Sequence, residues 1–221
     1  MRLANNDSRF DRQTSLQNED KRKELKVCVV GCWGIGSNSV YCLAKQGIEH
    51  IKVIDFDKVE IENTGSQFYT EKHIGKYKVE ALQEQILEQT GVKIDIVKSK
   101  YKKSNIKGYD IIVLALDNLE TRKQIVEDAE WKQIILDTRM VKRISQCFSL
   151  YGFQKQRWFE ECYTEDENTI QEVACTEKAI AHNALMMAWI VGSLVCDICN
   201  NKILPRKVQC DMTNYVLSSN R

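Results

Sequence analysis

Residues 26–57 read K-V-C-V-V-G-C-W-G-I-G-S-N-S-V-Y-C-L-A-K-Q-G-I-E-H-I-K-V-I-D-F-D. The first apolar run, Val27 to Val30, has the length of a buried strand and enters a glycine-rich turn at Gly31, Gly34 and Gly36. Ser37 then opens a helix, with Val40, Leu43 and Ala44 on one face and Gly47 as its stop. A second apolar run, Ile51 to Ile54, ends in Asp55. Strand, helix and strand make a βαβ unit. Its turn presents free backbone N–H groups and the positive end of a helix dipole, which favour an anion of phosphate size. Asp55 stands where an acid reaches a ribose hydroxyl.

The rest of the composition narrows the field. A chain of 221 residues suits one domain, or one domain with an appendage, and buries enough core to fold without disulfides. The net charge is +1, with acids and bases interleaved, which speaks against nucleic acid as a partner. Of nine cysteines, Cys28, Cys42 and Cys196 fall inside apolar runs, where a reduced thiol behaves as a small hydrophobe. A reduced, cytoplasmic setting is expected, with no secretory leader read at the start. The most apolar stretch, Ala184 to Cys196, is too short to span a bilayer and reads as a buried helix, so no membrane partner is expected.

Outward from the opening unit, residues 1–24 are polar and read as an arm or short helix; they contain R-F-D-R-Q, Arg9 to Gln13. After Asp55 come Asp57, Asn63 and a turn at Gly65 and Ser66. A helix follows with Val79, Leu82 and Ile86 on one face, ending at Thr90 and Gly91. Lys78 falls in its first turn, where the dipole prefers anions. A bound phosphate accounts for that placement, and so does an exposed surface lysine. Lys93 to Lys98 reads as a third strand. Ile111 to Leu116 is a fourth, buried on both faces and ending in Asp117 and Asn118. A helix spans Leu119 to Ala129, and a fifth strand, Gln133 to Leu136, ends at D-T-R-M, residues 137–140. If strands one and four are neighbours, Gly31 to Gly36, Asp55 and Asp117 converge on one crevice at the carboxyl edge of the sheet. Ser145 to Phe153 alternates like a strand; residues 154–176 read as an acidic, mobile crossover-type loop. Cys175 then precedes a helix over Glu177 to Asn200, and Val208 to Thr213 reads as a last strand.

These motifs carry a resemblance. R-F-D-R-Q, G-C-W-G-I-G-S, D-F-D-K-V-E-I-E-N, I-G-K-Y-K-V-E-A-L, L-D-N, L-D-T-R-M and A-C-T-E-K-A follow one another, in order and at spacing, as in the ThiF/MoeB/HesA-type activating enzymes. That fold is shared with ubiquitin-activating enzymes, and the chain looks most like the short stand-alone ThiF-like proteins of bacteria and their viruses. The resemblance implies a single Rossmann-like α/β domain, a mostly parallel sheet flanked by helices, with a C-terminal strand extension. It implies ATP- and Mg²⁺-dependent adenylation of the C-terminal carboxylate of a ubiquitin-like or sulfur-carrier protein, with a thiol as a possible next acceptor. By position, Gly31, Gly34 and Gly36 would cradle the nucleotide, with Asp57 and Asn118 beside them. Asp55 would hold the ribose. Asn63 and Lys78 would contact phosphates, and Asp117 would hold magnesium. Arg12 matches the arginine that crosses to a partner subunit's ATP, which implies a homodimer.

The residue types suit that chemistry by themselves. A carboxylate is ionised at neutral pH and needs no general base. It needs relief of charge repulsion and a stabilised leaving pyrophosphate, which lysine, arginine, helix N–H groups and a carboxylate-bound Mg²⁺ supply. Two positions depart from the family pattern. Trp33 stands in the glycine turn where the family has glycine, and either crowds the phosphate or stacks over adenine. Ser66 stands where the family has an arginine, which removes one phosphate clamp; Arg139 is a candidate substitute. Cys175, between a loop and a helix N-terminus, reads as a thioester nucleophile or as a buried structural cysteine. Cys196-x-x-Cys199 has zinc-like spacing but lies in an apolar helix, where packing is the better account, and His182 reads as a core or capping histidine.

Three other readings stay open. An NAD-dependent oxidoreductase needs glycine where Trp33 stands. A degenerate, non-catalytic nucleotide- or partner-binding module fits Trp33 and Ser66. An activating enzyme for a small-molecule or tRNA-linked carboxylate fits the motifs, with the near-neutral charge speaking mildly against tRNA.

Overall fold

The computed structural model describes residues 8–13, 15–163 and 181–220. The opening unit is β1 (Lys26–Val30), α2 (Gly34–Lys45) and β2 (His50–Ile54), preceded by a short helix α1 (Glu19–Glu24). There follow α3 (Lys78–Thr90), β3 (Asp95–Val97), β4 (Ile111–Leu114), α4 (Leu119–Asp128), β5 (Ile134–Val141) and β6 (Ile144–Tyr151). The chain continues with α5 (Lys155–Glu161), α6 (Ala181–Cys199), β7 (Lys207–Asp211) and β8 (Val216–Asn220).

All eight strands form one sheet in the order β3-β2-β1-β4-β5-β6-β7-β8. The first five are parallel, and β6 to β8 extend them antiparallel. β1 has β2 on one side and β4 on the other, so strand order reverses beside β1. That reversal opens a crevice at the carboxyl ends of β1 and β4.

Strand alternation sorts the core into two layers. Val27 and Val29 of β1 join Ile111 and Val113 of β4 under α2, α3 and α6. Cys28 and Val30 join Ile112 and Leu114 on the other face, under Ile125 and Val126 of α4 and Trp158 of α5. Both faces of the central strands are covered, which is why their sequences are continuous apolar runs.

Several elements differ from the sequence reading. α2 begins at Gly34, three residues before Ser37, so Gly34 and Gly36 form its first turn. Residues 137–140 lie inside β5, because pairing with β6 carries the strand on to Val141. Residues 155–161 are helical where a loop is expected; burial of Trp158 against β5 holds them, and the remainder of that loop lies outside the described residues. β8 is an edge strand exposed along its length, with no apolar periodicity to signal it. α6 runs 19 residues, long and apolar enough by length and composition to cross a bilayer, with 56% of its apolar window buried within this fold. His182 is exposed rather than in the core.

The N-terminal segment docks at the opposite, amino edge of the sheet. Gln17 Nε2 donates to Cys199 Sγ at 3.4 Å, and Asn18 N donates to Asn200 Oδ1 at 3.0 Å. The Arg22 guanidinium donates to Gly47 O at 3.1 Å and lies 4.4 Å from the Phe10 ring centroid.

Candidate active site

The turn after β1 is built by contact. Gly31 has φ +96°, and a methyl group there would overlap the carbonyl of Ala115 at the end of β4. A methyl on Gly36 would overlap the carbonyl of Gly31. Only glycine lets the first turn of α2 sit against the turn and the turn against β4. The first helix amide with a backbone partner is Ser37 N, on Trp33 O at 2.9 Å. The amides of Gly34, Ile35 and Gly36 precede it and have no acceptor among the described residues, as the opening of a helix dictates. Free amides at a helix opening are an arrangement that suits an anion.

On the β2 side, Asp55 ties two turns together. Its carboxylate accepts from Cys32 N at 2.6 Å and from Asp57 N at 2.7 Å. Burial raises its pKa, opposed by those two amides and by Lys78. Each oxygen keeps a second lone pair for a hydroxyl. Asp57 holds Lys78 twice: its carbonyl accepts from Lys78 N at 2.8 Å, and its Oδ2 lies 3.3 Å from Lys78 Nζ. The same Oδ2 accepts the Trp33 indole N–H at 3.0 Å, and Lys78 Nζ sits 4.3 Å from the indole centroid. Lys78 is 2% exposed, so it is no surface lysine. Trp33 neither crowds the turn alone nor stands free: it is the third member of a Trp33–Asp57–Lys78 cluster.

On the β4 side, Asp117 is exposed and makes no hydrogen bond among the described residues. Asn118 caps α4, accepting from Thr121 N at 2.7 Å, which commits its side-chain oxygen. Behind them lies a network that the sequence reading missed. Asp137 has no exposed surface and accepts from Arg122, from Trp158 Nε1 at 2.8 Å and from Arg139 Nη2 at 2.8 Å. Arg122 also donates to the carbonyls of Leu114 and Leu116, which fixes the strand end carrying Asp117. Burial lowers the Arg122 pKa, and Asp137 acts against it. The Arg139 fork is turned onto Asp137 through both Nε and Nη2, so it does not stand in for the arginine missing at Ser66. A mid-helix arginine and a strand aspartate carry no local signal that they will meet.

The remaining candidates fall in different places. Asn63 is buried, and its Oδ1 accepts from Glu60 N at 2.9 Å; its amide nitrogen has no acceptor among the described residues. Arg12 is exposed on the 3-10 helix Ser8–Gln13, at the amino edge and away from the glycine turn. Cys175 lies outside the described residues. Cys199 is buried and accepts from Gln17, while Cys196 Sγ faces Leu16 O at 3.4 Å, so both thiols are packing groups. Burial raises the thiols of Cys32 and Cys28, the latter to about 12, which makes them poor nucleophiles at neutral pH.

The cradle fits a nucleotide's phosphates by its free amides and the glycines that no side chain may replace. Asp117 suits Mg²⁺, a cation usually held by one or two carboxylates together with phosphate oxygens and water.

The comparisons agree with this geometry. A family model described as the ThiF family matches residues 9–218. The adenylyltransferase and sulfurtransferase MOCS3 of Aedes aegypti is 36% identical over 134 residues, 55% of this chain and 30% of its own length. SUMO-activating enzyme subunit 2 of Dictyostelium discoideum is 31% identical over 113 residues, 48% of this chain and 17% of its own. The chain thus spans less than a third of either relative. The crystal structure of E. coli MccB with ATP superposes with a TM-score of 0.75 at 18% identity, over 98% of this chain and 72% of that one. With the fold, the glycine turn and the family model in accord over nearly its whole length, this chain belongs to the ThiF family.

Proposed function

We propose that this protein adenylates the C-terminal carboxylate of a ubiquitin-like or sulfur-carrier protein, using ATP and Mg²⁺. One observation carries the reading: the free amides opening α2, the buried ammonium of Lys78 and the exposed carboxylate of Asp117 gather at the carboxyl ends of β1, β2 and β4. The relatives named above support it, being an adenylyltransferase and a SUMO-activating subunit.

Each group then has a task. The amides of Gly34, Ile35 and Gly36 bind phosphate oxygens, and Gly31 keeps the backbone close. Asp55 accepts from a ribose hydroxyl while holding Cys32 and Asp57 in place. Lys78 neutralises charge that grows as pyrophosphate leaves, and Asn63 has an amide nitrogen to add. Mg²⁺, held through Asp117, supplies Lewis-acid stabilisation of the phosphates. No residue need remove a proton, since the attacking carboxylate is already ionised. Arg12 completes the site of a second copy in a homodimer, and Cys175 receives the acyl group if a thioester follows. A cytoplasmic setting suits the eight described cysteines, all free.

Exchange of labelled pyrophosphate into ATP tests the reading. Full-length protein is mixed with Mg·ATP, labelled pyrophosphate and a panel of carrier proteins with free C-terminal tails. Exchange that needs both one carrier and Mg²⁺ is expected. ATP binding without exchange on any carrier would leave the fold as a binding module and overturn the proposal.

A further inference from the structure

The cluster around Lys78 bears on how tightly the site can hold a phosphate. With 2% of the residue exposed, Lys78 offers no open side to a ligand entering the glycine turn. Nζ lies against Asp57 and the Trp33 ring, with the Asp55 carboxylate near enough to feel its charge. Asp57 is anchored by its backbone, through Asp57 N on Asp55 Oδ1 at 2.7 Å and Lys78 N on Asp57 O at 2.8 Å. Trp33 is half-buried, and its indole is held to the cluster by one hydrogen bond, to Asp57 Oδ2 at 3.0 Å. The indole is therefore the part that can move. It also sits at the N-cap of α2, next to the amides that would receive a phosphate, and its side chain makes no capping bond there.

We propose that Trp33 is a gate on Lys78, keeping the ammonium between its ring and Asp57 until a ligand's phosphates displace the indole, and so setting how tightly the site takes a phosphate-bearing ligand. The proposal rests on the nucleotide reading above. A nucleoside without phosphates never calls on Lys78 and does not feel the gate; ATP must open it. The departure from glycine at this position then moderates phosphate affinity and is no sign of decay.

Calorimetric titration of the full chain with ATP and with adenosine, in the absence of any carrier, tests it across Trp33→Ala, Trp33→Phe, Lys78→Ala and the Trp33→Ala/Lys78→Ala double variant. Trp33→Ala is expected to bind ATP roughly tenfold tighter, the scale of one desolvated cation–π contact, with adenosine affinity unchanged. Trp33→Phe, which keeps a ring face and loses the N–H, should fall between. In the Lys78→Ala background the gain should vanish, because the pair acts as a unit. Unchanged or weaker ATP binding by Trp33→Ala overturns the gate. So does a gain that persists without Lys78, which would mean the indole merely crowds the turn. If the wild type and every variant bind neither ligand, the nucleotide reading itself has failed.

Discussion

Asp117 and Asp137 are two aspartates with opposite fates, and each has its own test. Asp117 is exposed at a strand end, makes no hydrogen bond among the described residues, and feels the charge of Arg122 behind it. Asp117→Ala should leave the thermal midpoint in place and lower carrier-dependent pyrophosphate exchange by about 10²–10³-fold, as loss of one preorganised electrostatic contact does. Unchanged exchange would remove it from the metal role. Asp137 is fully buried among Arg122, Arg139 and Trp158. Asp137→Ala strands two guanidinium groups, one of them buried, and should cost about 3–5 kcal/mol of stability by urea unfolding. Arg139→Ala should cost much less, because that side chain is partly exposed and Asp137 keeps its other donors. Equal losses in the two variants would contradict this ranking. Chain position suggested where the first aspartate would lie, since an acid after a buried strand of an open α/β sheet falls at the crevice, and the metal role proposed for it awaits that test. Chain position could not give the role of the second, because the network joins α4, β5 and α5 across the fold.

At the scale of elements, the junction of β1 and α2 is the sensitive point. Gly36→Ala places a methyl against the Gly31 carbonyl, and backbone on both sides leaves no flexible group to yield. It should lower stability by about 1–3 kcal/mol, the scale of core overpacking, and should weaken ATP binding more than the stability loss alone accounts for. Urea unfolding and calorimetry on the same sample separate the two; intact ATP affinity would show that the amides are not the cradle. The βαβ unit was legible because three signals coincide there: apolar runs of strand length, glycines at a turn, and a 3.6-residue period between them. The helix start was misplaced by three residues because glycine's poor propensity is overridden by the close approach it permits. Residues 155–161 were read as loop because their polar face hides one tryptophan whose burial organises the segment.

For the whole molecule, the placement of Arg12 argues for a partner. The helix carrying it rests at the amino edge, with Phe10 beside Gly47 and the Arg22 guanidinium. The glycine turn lies beyond the carboxyl end of β1, a strand of five residues and roughly 17 Å away. The proposed nucleotide role of Arg12 is therefore one in the site of a second copy. Arg12→Ala and Asp117→Ala, each deficient alone, should restore exchange when mixed and allowed to re-pair, because one site of the mixed dimer has both groups. No recovery, with mixed dimers verified by mass, would end the shared-site reading. The sequence by itself determined the α/β class and the family, because apolar strand runs, turn glycines and strand-end acids are local patterns with local causes, whereas the crevice waited on the pairing of β1 with β4. Only the tertiary structure decided that Lys78 is buried against Trp33 and Asp57, that Arg139 is committed to Asp137, and that the helix carrying Arg12 rests at the amino edge. Those outcomes depend on which side chains meet across elements far apart in the chain, and packing selects among partners that no spacing distinguishes.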